Sequence, residues 1–130
     1  MTSRWASHQR KRFEEGIALF NRQQFFDCHE VLEEVWLQVS GDEKKFLQGL
    51  IQVAVAFHHL RHGNLRGARR LLAAGVDKLS GFGREEDSVD VAAILASLEP
   101  LQQQLNAGEV PPDWPSPRIL LKDTPLPSKE

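Results

Sequence analysis

No proline occurs in residues 1–99, whereas six of the seven lie between 111 and 127. Proline lacks an amide donor and clashes with the preceding helical turn, so it marks where helix cannot run freely. This distribution predicts two parts: a helical domain over residues 1–106 and a proline-rich C-terminal tail over 107–130, extended or irregular, with PPDWPSP from residue 111.

Apolar spacing fills the first part with five helices. Phe13, Ile17 and Phe20, at intervals of four and three, predict a helix over 7–21. QQFFDCHEVLEEVWLQV predicts a second over 23–39, closed by Gly41 and Asp42. A third is expected over 43–62, ended by Gly63 and Asn64, and a fourth over 65–80. GFGREEDS reads as a loop. A fifth helix over 88–106 carries Val91, Ile94, Leu95, Leu98, Leu101 and Leu105 on one side, and Pro100 should kink or split it. Phe20, Phe25, Cys28, Leu32 and Trp36 are echoed forty residues on by Leu60, Leu65, Ala68, Leu72 and Val76. The expected fold is all-α: a compact bundle of about five helices built from packed helical hairpins. Similar packing demands alone would also produce the echo.

Composition narrows the function. A chain of 130 residues that is 41% hydrophobic and 26% charged is an ordinary globular domain. Sixteen basic against 18 acidic residues give a net charge of −2, which argues against a globally basic nucleic-acid binder. One cysteine excludes an internal disulfide framework and a multi-cysteine metal knuckle. No apolar stretch follows the basic residues of MTSRWASHQRKR, so no secretory signal is expected there. The longest apolar run, 46–57, contains Gln48 and Gln52 and is too short to span a bilayer. A soluble, cytoplasmic protein without membrane association is the expectation.

Helical wheels locate the candidate site. On the second helix, His29 and Glu33 fall one turn apart within the apolar face, while Asp27, Glu34 and Gln38 fall on the solvated side and Glu30 at the border. The third helix is apolar nearly all round, as a central helix is. It still carries Gln48, Gln52 and His59 within roughly 40° of one another, beside the small residues Gly49 and Ala56. Buried amides and imidazoles need partners, so His29, Glu33, Gln52 and His59 are expected to satisfy each other between these helices. Glu30 and Gln48 would stand at the edge, with Phe26 and Trp36 as walls.

The runs FNRQQFFDCHEVLEEVW (20–36), FLQGLIQVAVAFHHLRHGN (46–64) and GARRLL (67–72) resemble the bacterial and archaeal family called domain of unknown function 309. The family pattern combines an aromatic-rich turn, a His-Glu-x-x-Glu-x-x-Trp helix, a Gly-Leu-Ile-Gln helix and a His shortly before Gly-Asn. The resemblance implies an all-α fold of packed hairpins. It implies no activity, since none is established for the family. It aligns His29, Glu30, Glu33, Trp36, Gln52, His59 and Asn64 with the family's polar and aromatic positions. The loop at 81–88 and the tail lie outside it.

Several readings of the cluster stand side by side. A small binding or scaffold domain whose polar network fixes helix register is the leading one. A metal-dependent enzyme is another: His29, Glu33 and His59 would hold a divalent zinc, iron or manganese ion, although HEVLE lacks the second histidine of the zinc-protease motif. Metal-free acid–base chemistry at His29 and Glu33 is a third, with no evident nucleophile, because Cys28 sits inside the apolar arc. An interaction role could instead use Arg61, His62, Arg66, Arg69 and Arg70, with Arg4, Arg10, Lys11 and Arg12 at the N-terminus. Nucleic acid is disfavoured because stacking aromatics are not interleaved. The phenylalanine content leaves a homo-oligomer open, and Trp114 is expected to dock on its own domain or on a partner.

Overall fold

The computed structural model of the chain describes residues 5–109 and 117–121. Five helices follow in order: α1 (Ser7–Asn21), α2 (Phe25–Trp36), α3 (Gly41–Arg61), α4 (Leu65–Leu79) and α5 (Val91–Asn106). The all-α expectation holds, with differences at the edges. Gln23 adopts a φ of 64°, a left-handed conformation that breaks the helix, so α2 starts later than residue 23. The stretch read as a loop holds a 3-10 turn (Ser80–Phe82) and a small antiparallel hairpin, β1 (Glu85–Glu86) with β2 (Val89–Asp90). Its turn residues Asp87 and Ser88 both have positive φ, a role that glycine usually fills, so no local signal announced it. Pro100 does not split α5. The carbonyl that its missing amide leaves unpaired belongs to Ala96, which is exposed, so water can take the bond.

The echo at forty residues is a repeated turn. Gln23 N–H donates to Phe20 O at 2.9 Å, and Gly63 N–H to Leu60 O at 3.1 Å. Gln24 N–H donates to Leu19 O at 2.9 Å, and Asn64 N–H to His59 O at 2.8 Å. Cys28 to Gln24 and Ala68 to Asn64 continue the match at 2.9 and 3.0 Å. Two hairpins, α1–α2 and α3–α4, are thus closed by one hydrogen-bond pattern. Asn64 also caps α4, its Oδ1 accepting from Gly67 N–H at 2.9 Å.

The core lies between these hairpins and α5. Phe13, Phe20, Phe46 and Phe57 are fully buried. Phe20, Phe25 and Phe57 form one ring cluster, with centroids 5.1–6.2 Å apart. Full burial of such side chains stabilises by about 1.5–3 kcal/mol each. Glycine sets the closest helix approach: a Cβ on Gly75 of α4 would lie 2.9 Å from the Gly49 carbonyl oxygen of α3. Gly49, the small residue singled out on the third helix, therefore does admit its neighbour. Arg61, at the end of α3, donates from Nη1 to Gln23 O and from Nη2 to Gln23 Oε1, both at 2.9 Å, joining the two turns.

Residues 117–121 run across the molecule. Asn21 Nδ2 donates to Ile119 O at 3.1 Å, and Ile119 N–H donates to Asn21 Oδ1 at 2.7 Å. Leu121 bridges Val89, Asp90 N–H donates to Leu120 O, and the Ile119 side chain is buried. Trp114 lies outside the described residues. Among the described residues no helix is long and apolar enough to cross a membrane.

Candidate functional site

Helix α3 is flanked by α2 on one side and α4 on the other. Phe25 stacks on Phe57, Lys44 sits over the Trp36 ring, and Arg61 reaches Gln23, so α2 and α3 run antiparallel in a fixed register. One turn along α2 from Phe25 is His29; just over one turn back along α3 from Phe57 is Gln52. The register thus brings His29 level with Gln52, and Glu33 level with Gln48.

Between these helices lies a groove with a cavity volume of about 290 Å³, lined by His29, Glu33 and Trp36 of α2, Gln48, Ile51, Gln52 and Val55 of α3, and Leu71 of α4. Positions 48, 51, 52 and 55 are one helical stripe, as are 29, 33 and 36. His29, Gln48, Gln52 and Trp36 are half-buried, and Glu33 is exposed. Lys44 Nζ stands 4.0 Å above the Trp36 ring at one end.

Four of the six expected cluster residues, His29, Glu33, Gln48 and Gln52, meet here, with Trp36 as the expected wall. They do not satisfy one another as anticipated. His29 Nδ1 and Gln52 Oε1 are both buried without a hydrogen-bond partner. Glu30 is exposed and outside the lining. Phe26 is no wall; its ring packs between His29 and His58, with centroids at 5.4 and 5.3 Å.

His59 stands apart from the groove. It lies seven residues beyond Gln52, about 10 Å along the helix axis, level with the turn that precedes α2. Its Nδ1 is 3.3 Å from Asn64 Nδ2. The set His29, Glu33 and His59 is therefore not assembled, and among the described residues no three His, Cys, Asp or Glu side chains are placed to hold a metal ion. Cys28 is core: burial pushes its thiol up to about 12, which keeps it protonated and unreactive.

Sequence reasoning missed three apolar lining residues and one histidine. Ile51 and Val55 were legible, since they share the stripe of Gln48 and Gln52; Leu71 required knowledge of how α4 crosses α3. His58 joins a row of rings from the groove toward the turn, 4.4 Å from His62 and 6.1 Å from His59. Desolvation first, then the nearby His62, His59, His29 and Arg61, hold its pKa below the usual histidine value. Of the cations grouped by sequence, Arg10 is bound to Glu14 and to Asp87 O, and Arg12 bridges Glu15 and Glu34.

Stacked helical hairpins around an open groove place the chain among all-α hairpin proteins. Residues 13–71, from within α1 to within α4, match the family described as Domain of unknown function (DUF309), and this stretch belongs to that family, as its motifs foretold. The chain is 34% identical over 84 residues to the uncharacterized protein YpuF of Bacillus subtilis (strain 168), covering 62% of this chain and 48% of that protein. It is 26% identical over 106 residues to an uncharacterized protein of Aquifex aeolicus (strain VF5), covering 81% of this chain and 32% of the relative. The chain thus spans about half the length of the first relative and a third of the second.

Proposed function

We propose that the chain is a protein-binding module whose groove between α2 and α4 receives a polypeptide segment. The observation that carries this reading is the pair of buried, unpartnered polar atoms, His29 Nδ1 and Gln52 Oε1, at a groove otherwise walled by Trp36, Ile51, Val55 and Leu71. A buried polar group without a partner costs about 1–3 kcal/mol. A peptide group offers both a donor and an acceptor, which suits imidazole and carboxamide linings after small side-chain rotations. The cavity of about 290 Å³ is at the low end for a whole small-molecule ligand and suits one or two side chains of a longer segment. Catalysis has less support: His29 and Glu33 share no hydrogen bond, and the thiol of Cys28 is sealed in the core.

A photo-crosslinking amino acid at position 48 tests this in cells, with position 69 on the far side of α4 as control. The expected result is a discrete protein adduct from position 48, absent from position 69 and lost when Val55→Glu fills the groove without loss of helix content. No adduct, or equal adducts from both positions, would refute the reading.

A further inference from the structure

The two rims of the groove carry opposite charge. Around α2, the positions next to groove-lining His29, Glu33 and Trp36 are Phe26, Leu37 and Glu30. Phe26 is 50% and Leu37 68% exposed, two of the three large apolar side chains left in water among the described residues. The carboxylates of Glu30 and Glu33 are exposed and hold no ion pair or hydrogen bond among the described residues, whereas that of their neighbour Glu34 is engaged by Arg12. Around α4, beyond groove-lining Leu71, come Lys78, Gly67 and Ala74 and then, on the outer face, Arg70, Asp77 and Arg66; the side chains of Arg66 and Arg70 are exposed and likewise unpaired among the described residues. With Asn64 and Gly67 they line a depression of about 290 Å³ at the amino end of α4, which has no acidic residue in its first turn.

Helices α2 and α4 both run antiparallel to α3, so they are parallel ridges, one acidic with exposed apolar ends and one basic. Glu30 to Glu33 and Arg66 to Arg70 are each about one helical turn. Because Gly67 packs beside His59 while His29 stands level with Gln52, the arginines sit about 12 Å nearer the carboxyl end of α3 than the glutamates, so the two-fold axis that pairs them runs oblique to the helices. A face that carries matched charges of opposite sign on its two sides is complementary to itself under two-fold rotation. We propose that the occupant of the groove is a second copy of this chain. The α2 ridge of each protomer lies over the groove of the other, with Glu30 and Glu33 opposite Arg66 and Arg70. Phe26 and Leu37 supply the apolar area that drives association, and the charge pairs set register and exclude wrong partners. This rests on the groove being a protein-binding surface and names what binds there.

The test is the mass of the full chain in solution, by light scattering on a sizing column. Wild type is expected at twice 14.7 kDa. Glu30→Arg/Glu33→Arg sets basic against basic at both contacts, and Arg66→Glu/Arg70→Glu sets acidic against acidic. Each is expected to raise the dimer dissociation constant roughly a hundredfold. All four residues are exposed, so circular dichroism should be unchanged. An equimolar mixture of the two variants restores both contacts and should run as a heterodimer. A monomeric wild type, variants that stay dimeric, or a mixture that stays monomeric would each overturn self-pairing. The crosslinker at position 48 separates the two levels: a two-chain adduct supports self-pairing, and an adduct with a different protein from a monomeric wild type sinks it while the groove reading stands. A monomer with no adduct sinks both.

Discussion

Gly75→Ala probes the contact on which the α3–α4 hairpin is built. A Cβ there would lie 2.8 Å from Val53 Cγ2, 2.9 Å from Gly49 O and 3.2 Å from Val53 N. Comfortable contacts between carbon atoms are about 3.5–4.0 Å, and two of these three neighbours are backbone, so no side-chain rotation relieves the clash. Helix α4 must instead withdraw from α3 by about 0.5 Å, loosening the packing of Leu72 and Leu79. Overpacking of this kind costs about 1–3 kcal/mol, and alanine returns about 1 kcal/mol through its helix propensity. The expected net loss is about 1 kcal/mol, a fall in Tm of about 3–5 °C for a domain of this size. Gly81→Ala is the control, because no atom stands within 4 Å of its Cβ; it should be neutral or stabilising by about 0.5 kcal/mol. Urea unfolding followed by circular dichroism measures both midpoints, with the slope checked for constancy. If Gly75→Ala matches or exceeds wild type, or Gly81→Ala loses as much, the close approach does not hold the hairpin as argued.

Asn21→Ala removes both hydrogen bonds that fix the Ile119 backbone and should cost about 2 kcal/mol; hydrogen exchange at the Ile119 amide should rise sharply, and unchanged protection would refute the assignment. His58 carries a pKa below the usual histidine value, so as pH falls through about 6.5 the unfolded chain takes up the proton more readily than the folded one. Stability should drop over that window and down to the lowered folded value, and His58→Gln should flatten the dependence of the urea midpoint on pH; an identical slope in the variant would show that the ring row is not the source.

Features governed by periodicity could be read from the sequence. Helices with spaced apolar residues were placed to within a few positions, and the forty-residue echo pointed to a turn whose hydrogen bonds recur at that offset. Features set by three-dimensional register could not. A wheel gives the angle of His59 about α3, and that angle does match Gln52; it does not give the position along the partner helix, which places His59 beyond the start of α2. Residue types alone do not show whether a buried polar group finds its partner within the chain, and His29 and Gln52 each keep an atom unpaired. The Asp87–Ser88 turn eluded sequence reasoning because neither residue advertises a positive φ. Pro100 does not split α5, because the carbonyl that its missing amide leaves unpaired belongs to an exposed residue, Ala96, where water can take the bond.

The link from Arg61 to Gln23 bears on how a ligand would be received. Helix α2 is tethered to α3 by the chain itself over residues 37–40 at one extremity and by this guanidinium at the other. Helix α4 is tethered to α3 by the second turn and by the contact of Gly75 with Gly49. Floor and flanks therefore exist before anything arrives, and association would be spared most of the entropic penalty of freezing a mobile receptor. Severing the tether with Arg61→Ala should accordingly weaken capture by letting α2 wander, although residue 61 itself lies outside the trough.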